Sequence, residues 1–198
     1  MIFIYLHGFN GGSPSHSAAA LSKLLDAGVF CPQYDYSRPF EYCYASLLET
    51  IAATRADKIC LLGTSLGGFY ALSLRHPSIK RVVAWNPVVF PALQLLQFVG
   101  LNVRFHDGVP WEFRREIAVS YAEAPDPRVW ANRLNPAPGY PAPVRRVIIG
   151  DRDEILNSEL CIAYWRQAAS LSIIESGHSV ENYDHLLKIE RDLDPNRS

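Results

Sequence analysis

The feature that most constrains the fold is the segment Gly63-Thr64-Ser65-Leu66-Gly67, in which a glycine stands two residues either side of a serine. An apolar run precedes it and a helix-like stretch follows, which is the context of a sharp strand-to-helix turn. Such a turn strains its central residue and exposes the side chain, while the glycines let neighbouring backbone approach. The segment therefore predicts an exposed Ser65 at a helix N-terminus, where developing negative charge is favoured.

Short apolar runs alternate with helix-length stretches along most of the chain. The runs predict strands over residues 2–6, 29–36, 58–62, 81–85, 144–149 and 171–175. The stretches between them predict helices over residues 15–27, 41–55, 67–75, 158–169 and 180–193. This alternation indicates an α/β fold with a mostly parallel sheet covered by helices on both faces. Reactive groups are then expected in the loops after the carboxyl ends of the strands.

The alternation stops between residues 87 and 143, where prolines and aromatic residues are frequent. We interpret residues 1–198 as one α/β domain and residues 87–143 as an insertion within it. Helices are predicted over 92–98 and 111–124, so the insertion should form a helical cap over Ser65. Its aromatic side chains suit an apolar acyl pocket and packing against the body equally well.

Composition excludes several classes of function. The formal net charge of −1 offers no basic surface for nucleic acid. The first residues lack a basic region, and their apolar run is too short for a signal peptide or a membrane span, so a cytoplasmic protein is expected. The four cysteines form no C-x-x-C pair, which favours a reduced protein without a metal site.

A serine needs a base, and the base needs an orienting acid. His178 follows the last predicted strand, where the base is expected in this chain order. The acid should lie between serine and histidine, and Asp151, Asp153 and Glu154 follow the preceding strand. Asp153 is preferred because this loop usually offers the acid a few residues past the strand. Asp151 is the alternative, and one of these two aspartates is expected to cap a turn.

An oxyanion hole requires two backbone N–H donors aimed at the tetrahedral intermediate. Leu66, directly after Ser65, is predicted to supply one. The loop after the first strand, His7-Gly8-Phe9-Asn10-Gly11-Gly12, should supply the other. Phe9 is the preferred donor and Asn10 the alternative.

These residues together resemble a known family. His7-Gly8-Phe9-Asn10, the serine segment, Asp153-Glu154-Ile155-Leu156 and Gly177-His178 are similar to α/β-hydrolases, and more narrowly to small bacterial esterases of the YqiA type. Asn86-Pro87-Val88-Val89 and Cys31-Pro32-Gln33-Tyr34 also resemble that group. The resemblance implies a triad of Ser65, Asp153 and His178. It also implies hydrolysis of carboxylic esters with short acyl chains.

The expected reaction is acyl transfer from a small-molecule ester through a covalent intermediate, with no cofactor. The same triad would serve a thioesterase or an acyltransferase. A non-catalytic binding protein that keeps the fold is the alternative from another class.

Overall fold

The computed structural model describes residues 1–128, 143–167, 169–180 and 183–185. The eight strands of these residues are β1 Ile2–Leu6, β2 Val29–Phe30, β3 Ile59–Thr64, β4 Ile79–Trp85, β5 Gly100–Val103, β6 Pro110–Phe113, β7 Val144–Gly150 and β8 Ser170–Ile174. Six of them form one sheet in the order β2-β1-β3-β4-β7-β8. Every neighbouring pair in that sheet is parallel. The mostly parallel sheet predicted from the sequence is confirmed.

The described helices are α1 His16–Leu25, α2 Phe40–Ala53, α3 Leu66–Ser73, α4 Pro91–Gln94, α5 Arg115–Ser120 and α6 Ser158–Trp165. The helix α1 begins where the Ser15 side chain accepts a hydrogen bond from the amide of Ala18, which makes Ser15 its N-cap. None of the helices in these described parts of the chain has the length and apolar character needed to cross a membrane.

Side chains of the central strands alternate between two apolar core layers, as period-two geometry requires. Ile4 and Leu6 of β1 enter the layer that contains buried residues of α2, α3 and α6, which we call the α2–α3 layer. Tyr5 enters the layer that contains Leu21 of α1, which we call the α1 layer. Because both faces are covered, the functional groups are left to the loops at the carboxyl edge of the sheet.

Two predictions of secondary structure are wrong. The strand predicted over 29–36 ends at Phe30, and Pro32 beyond it lacks the N–H needed to continue a ladder. The helix predicted over 111–124 begins only at Arg115. Residues Pro110–Phe113 instead form β6, paired antiparallel with β5.

The described part of the cap is therefore not purely helical, because it contains this β5–β6 hairpin. Residues 129–142 of the insertion, and all but a few residues of the helix predicted over 180–193, lie outside the described residues.

Candidate active site

Ser65 occupies a strained turn between β3 and α3. Its backbone has φ 55° and ψ −121°, a conformation that non-glycine residues adopt only when the surroundings impose it. The Ser65 amide donates to the Trp85 carbonyl oxygen at 2.9 Å, which ties the turn to β4. A Cβ atom on Gly63 would lie 2.5 Å from the Gly67 carbonyl oxygen, and one on Gly67 would collide with the carbonyl oxygen of Leu6. The two glycines thus make the turn sterically feasible.

The loop after β1 lies directly against this turn. A Cβ on Gly8 would be 3.3 Å from the Ser65 Cβ, and the Gly11 amide donates to the Gly8 carbonyl oxygen at 3.0 Å. Asn10, at φ 61°, lies within this turn. The loop after β1 therefore packs closely against the turn that carries Ser65.

The two candidate donors of this loop have different surroundings. Phe9 lines the cavity that also contains Ser65 and Leu66. The Asn10 side chain instead engages the cap: its Oδ1 accepts from Trp111 Nε1 at 2.9 Å, and its Nδ2 donates to Asn102 Oδ1 at 3.3 Å. Phe9 thus borders the cavity, whereas the Asn10 side chain joins the loop to residues of the insertion.

His178 and Asp153 are hydrogen-bonded to each other. The His178 Nδ1 atom lies 2.8 Å from Asp153 Oδ2, and the Asp153 side chain is only 2% exposed. The other carboxylate oxygen accepts from the amides of Ile155 at 2.8 Å and Leu156 at 2.7 Å. A carboxylate at Nδ1 favours the tautomer with the proton on that nitrogen, which leaves Nε2 as a proton acceptor.

The other acidic candidates have different contacts. Asp151 is exposed and accepts from the Ser176 amide at 3.3 Å. Glu154 accepts from the His178 amide at 2.9 Å through Oε2. Of the three carboxylates in this loop, Asp153 is the one whose side chain meets the imidazole.

Asn86 is a residue of the site that the sequence analysis did not single out. Its side-chain Nδ2 donates to the carbonyl oxygens of Gly177 and His178, both at 3.0 Å. Its Oδ1 accepts from the Gly150 amide at 2.7 Å. The residue is buried, and its φ is 42°. Asn86 thereby joins the loop that begins at Gly150 and contains Asp153 to the loop that contains His178.

A signal for Asn86 was available in the sequence. The residue directly follows the strand β4, and polar residues at such strand ends are candidates for a site. The sequence analysis interpreted Asn86 only as part of the family-like segment at the start of the insertion.

Ser65 and His178 line one cavity of about 660 Å³, together with Phe9 and Leu66. This volume lies within the range of small-molecule sites. Leu66 is the first residue of α3, and amides of the first helical turn have no partner within the helix. The cavity is thus lined by a serine, an imidazole and the first residue of a helix.

His7 also borders the cavity but has a different character. Its ring stacks on Tyr34 with the centroids 4.2 Å apart. Burial, together with nearby His106 and against the hydrogen bond to the Gly8 carbonyl oxygen, lowers the pKa of His7 to about 4. His7 is therefore uncharged near neutral pH, which suits a packing role beside the loop after β1.

Comparison with known proteins places the chain in context. The model of an uncharacterised protein family, UPF0227, matches residues 2–192. A UPF0227 protein of Yersinia pseudotuberculosis (serotype O:1b, strain IP 31758) is 29% identical over 94 residues, which cover 46% of this chain and 52% of the relative. The chain thus spans about half the length of the curated relatives it matches.

Solved structures with the same fold include several hydrolases. Est1E from Butyrivibrio proteoclasticus is 16% identical with a TM-score of 0.65, covering 97% of this chain and 84% of that one. A monoacylglycerol lipase from Paleococcus ferrophilus is 15% identical with a TM-score of 0.66, covering 96% and 91%. A thermophilic esterase from Thermogutta terrifontis is 17% identical with a TM-score of 0.63, covering 98% and 89%. These neighbours confirm the predicted α/β-hydrolase fold.

Proposed function

Since the chain belongs to the UPF0227 family and has the α/β-hydrolase fold, we propose that it is a serine hydrolase that cleaves carboxylic esters. The observation that carries the proposal is the strained Ser65 in the same cavity as His178, whose imidazole is bonded to the buried Asp153. This combination matches what a serine nucleophile needs: exposure, a base and an acid that orients the base.

In the proposed reaction, His178 Nε2 takes the Ser65 hydroxyl proton as the oxygen attacks the ester carbonyl carbon. The tetrahedral intermediate collapses, the bond to the alcohol oxygen breaks, and the charged imidazole gives its proton to the departing alcohol. Water, deprotonated by His178, then attacks the acyl-enzyme and releases the acid. Asp153 holds the tautomer and stabilises the charged imidazole without taking a proton.

The negative oxygen of each intermediate is assigned to the amides of Phe9 and Leu66. Leu66 contributes an unused first-turn N–H of α3, whose dipole adds to the stabilisation. The hydrogen bonds of Asn10 with the cap keep the loop that carries Phe9 in position.

An ester of a short acyl group is the substrate that we propose. The described cavity has apolar walls near Ser65, including Leu66, Leu95 and Leu156. The names of two structural neighbours, an esterase and a monoacylglycerol lipase, support ester cleavage.

The first test is hydrolysis of p-nitrophenyl butyrate together with labelling by a fluorophosphonate probe. Wild type should cleave the ester and accept the probe, and Ser65→Ala should lose both while circular dichroism stays unchanged. The matched control is Ser73→Ala, which makes the same chemical change at the other end of α3. Ser73 is buried and donates a hydrogen bond to the Phe69 carbonyl oxygen. Ester cleavage by folded Ser65→Ala at the wild-type rate would refute the proposal.

The same proteins distinguish the alternatives. If the chain is a binding protein without activity, the fluorophosphonate probe should not label Ser65 of the wild type. A thioesterase would cleave the butyryl thioester of N-acetylcysteamine in preference to a butyrate ester of similar intrinsic reactivity. An acyltransferase would pass the acyl group to an added alcohol faster than to water.

A further inference from the structure

The residues that line the cavity at Ser65 divide between the two core layers, and this division gives the cavity an apolar end. Val88, Leu95 and Leu156 line this end and belong to the α2–α3 layer, and Phe98 packs against that layer. We call this end the apolar lobe. Val88, Leu95 and Phe98 belong to the cap itself, so its described part forms most of this surface for hydrocarbon.

The other end is lined by hydroxyl groups, and we call it the hydroxyl lobe. Tyr5 and Tyr183 line it and belong to the α1 layer, on the opposite face of the sheet. Tyr5 donates to the Thr64 hydroxyl at 3.1 Å. The Ser17 hydroxyl interacts with both phenol groups, and Ser17 and Thr64 also line the cavity. Four hydroxyls therefore gather at one end of the site.

Ser65 lies at the junction of the two lobes. The preceding residue, Thr64, points its hydroxyl toward Tyr5, and the following residue, Leu66, is buried in the α2–α3 layer. A group bonded to Ser65 thus has hydroxyls on one side and hydrocarbon on the other.

The chemistry of the lobe selects a particular kind of ligand. A hydroxyl has one donor hydrogen and two acceptor positions, so four hydroxyls bonded among themselves keep acceptor capacity. Among the described residues that line the cavity, none is lysine, arginine, aspartate or glutamate. Among the same residues, the histidines alone can carry a positive charge, so the lobe is better suited to a neutral group that brings its own hydroxyl donors than to a phosphate or a carboxylate.

The proposed reaction indicates which half of the ester occupies which lobe. His178 must give its proton to the alcohol oxygen, so the alcohol leaves on the side of His178. The chain continues from His178 through Ser179 and Val180 to Tyr183, and these residues line the cavity. Phe9, assigned to the oxyanion, packs its ring on Phe98 at 5.0 Å between centroids, on the apolar side.

We infer that the preferred substrate is a neutral ester of an apolar acid with an alcohol that carries free hydroxyl groups, such as a polyol. The inference rests on the proposed function. The hydroxyls of Tyr5, Ser17, Thr64 and Tyr183 would bind the alcohol part of this ester. The apolar lobe would bind its acyl group.

The test compares glyceryl 1-monobutyrate with propyl butyrate. The two esters share the acyl group and a three-carbon alcohol and differ only in free hydroxyls. Each kcat/KM is divided by the rate constant of alkaline hydrolysis, which removes the difference in intrinsic reactivity. We expect wild type to prefer the glyceryl ester by about tenfold, the value of one or two net hydrogen bonds.

Two variants locate the preference. Tyr5→Phe and Ser17→Ala should each reduce the preference for the glyceryl ester several-fold. The main cause should be a higher KM for that ester. Ser17 is only half-buried, so its variant stays informative if Tyr5→Phe folds poorly. The matched control is Tyr44→Phe, which removes a phenol hydroxyl bonded to the Ser73 carbonyl oxygen, away from the cavity. Its preference for the glyceryl ester should equal that of wild type.

The outcomes separate this inference from the proposed function. Equal normalised rates for the two esters in wild type would overturn the inference and leave the serine hydrolase standing. A preference that survives both Tyr5→Phe and Ser17→Ala would also overturn it, because recognition would then lie elsewhere. Failure to cleave either ester, with no fluorophosphonate labelling, would remove the proposed function itself.

Discussion

Replacing Asn86 by alanine is the sharpest test of how this site is held together. The substitution deletes one acceptor and two donor contacts: the bonds to the Gly150 amide and to the carbonyl oxygens of Gly177 and His178. Each net hydrogen bond contributes about 1 kcal/mol, so the free energy of unfolding should fall by about 3 kcal/mol. The buried Gly150 amide is left without this partner, and alanine is disfavoured at a φ of 42°, so the loss should reach or exceed that figure.

The effect on activity should exceed the effect of lost stability. Asn86 does not contact the reacting atoms, but it fixes the backbone of the residue that bears the imidazole. Misplacing a catalytic group by about 1 Å can reduce the rate by about 10²-fold. We therefore expect kcat for p-nitrophenyl butyrate to fall by about 10- to 100-fold with KM nearly unchanged, because Asn86 lies outside the lining of the cavity.

The assay needs a control that loses stability without moving the loops. Leu47→Ala suits this purpose, since Leu47 is a buried residue of α2 and such truncations cost about 2–5 kcal/mol. Urea unfolding measures the free energy of unfolding of both variants, and kcat is measured under conditions in which both are folded. If Asn86→Ala keeps the kcat of wild type while losing as much stability as Leu47→Ala, Asn86 is structural and the reasoning fails.

Two further predictions concern the acid and the buried histidine. Asp153→Asn should lower kcat by about 10³- to 10⁴-fold. Asp151→Asn should change kcat less than about twofold, because of these two aspartates Asp153 is the one that contacts the imidazole. If the ester assay gave the reverse order, the role of the acid would pass to Asp151. His7→Phe should remove part of the loss of stability in acid. The folded pKa of His7 is about 4 against an ordinary value of 6.5, so the unfolded chain binds a proton that the folded one does not between these values. The stability is therefore full above the ordinary pKa and falls as pH drops, by about 3 kcal/mol in all. Urea melts across this range should show a weaker pH dependence in the variant, and parallel curves would contradict the assignment.

The framework of the fold could be predicted because it depends on local pattern. The apolar runs that became β1, β3, β4 and β7 are short and bounded by glycine, proline or polar residues, and the parallel sheet follows from their alternation with helices. The strand β1 has the predicted bounds, Ile2–Leu6. The predicted pairing of Asp153 with His178 rests on chain order and loop position, which are also properties of the sequence.

The elements that were mispredicted depend on distant contacts. The segment at residue 111 has helix-like spacing, but Trp111 donates to Asn10, far away in the sequence, and its strand pairs with β5. Tertiary contacts of this kind override local propensity. Asn86 was missed for a related reason, since its partners come from two loops that only the folded chain brings together.

The same contacts connect the insertion to the loop after β1. The Phe105 amide donates to the Asn10 carbonyl oxygen at 2.7 Å, and Trp111 holds the Asn10 side chain. The Phe9 ring packs against Phe113 of β6, with the centroids 4.8 Å apart. The β5–β6 hairpin therefore holds Phe9 and Asn10 on both sides of the peptide bond that joins them. Because an oxyanion donor is effective only when it is fixed before the charge develops, the part of the chain that interrupts the regular fold is also the part that rigidifies the proposed oxyanion loop.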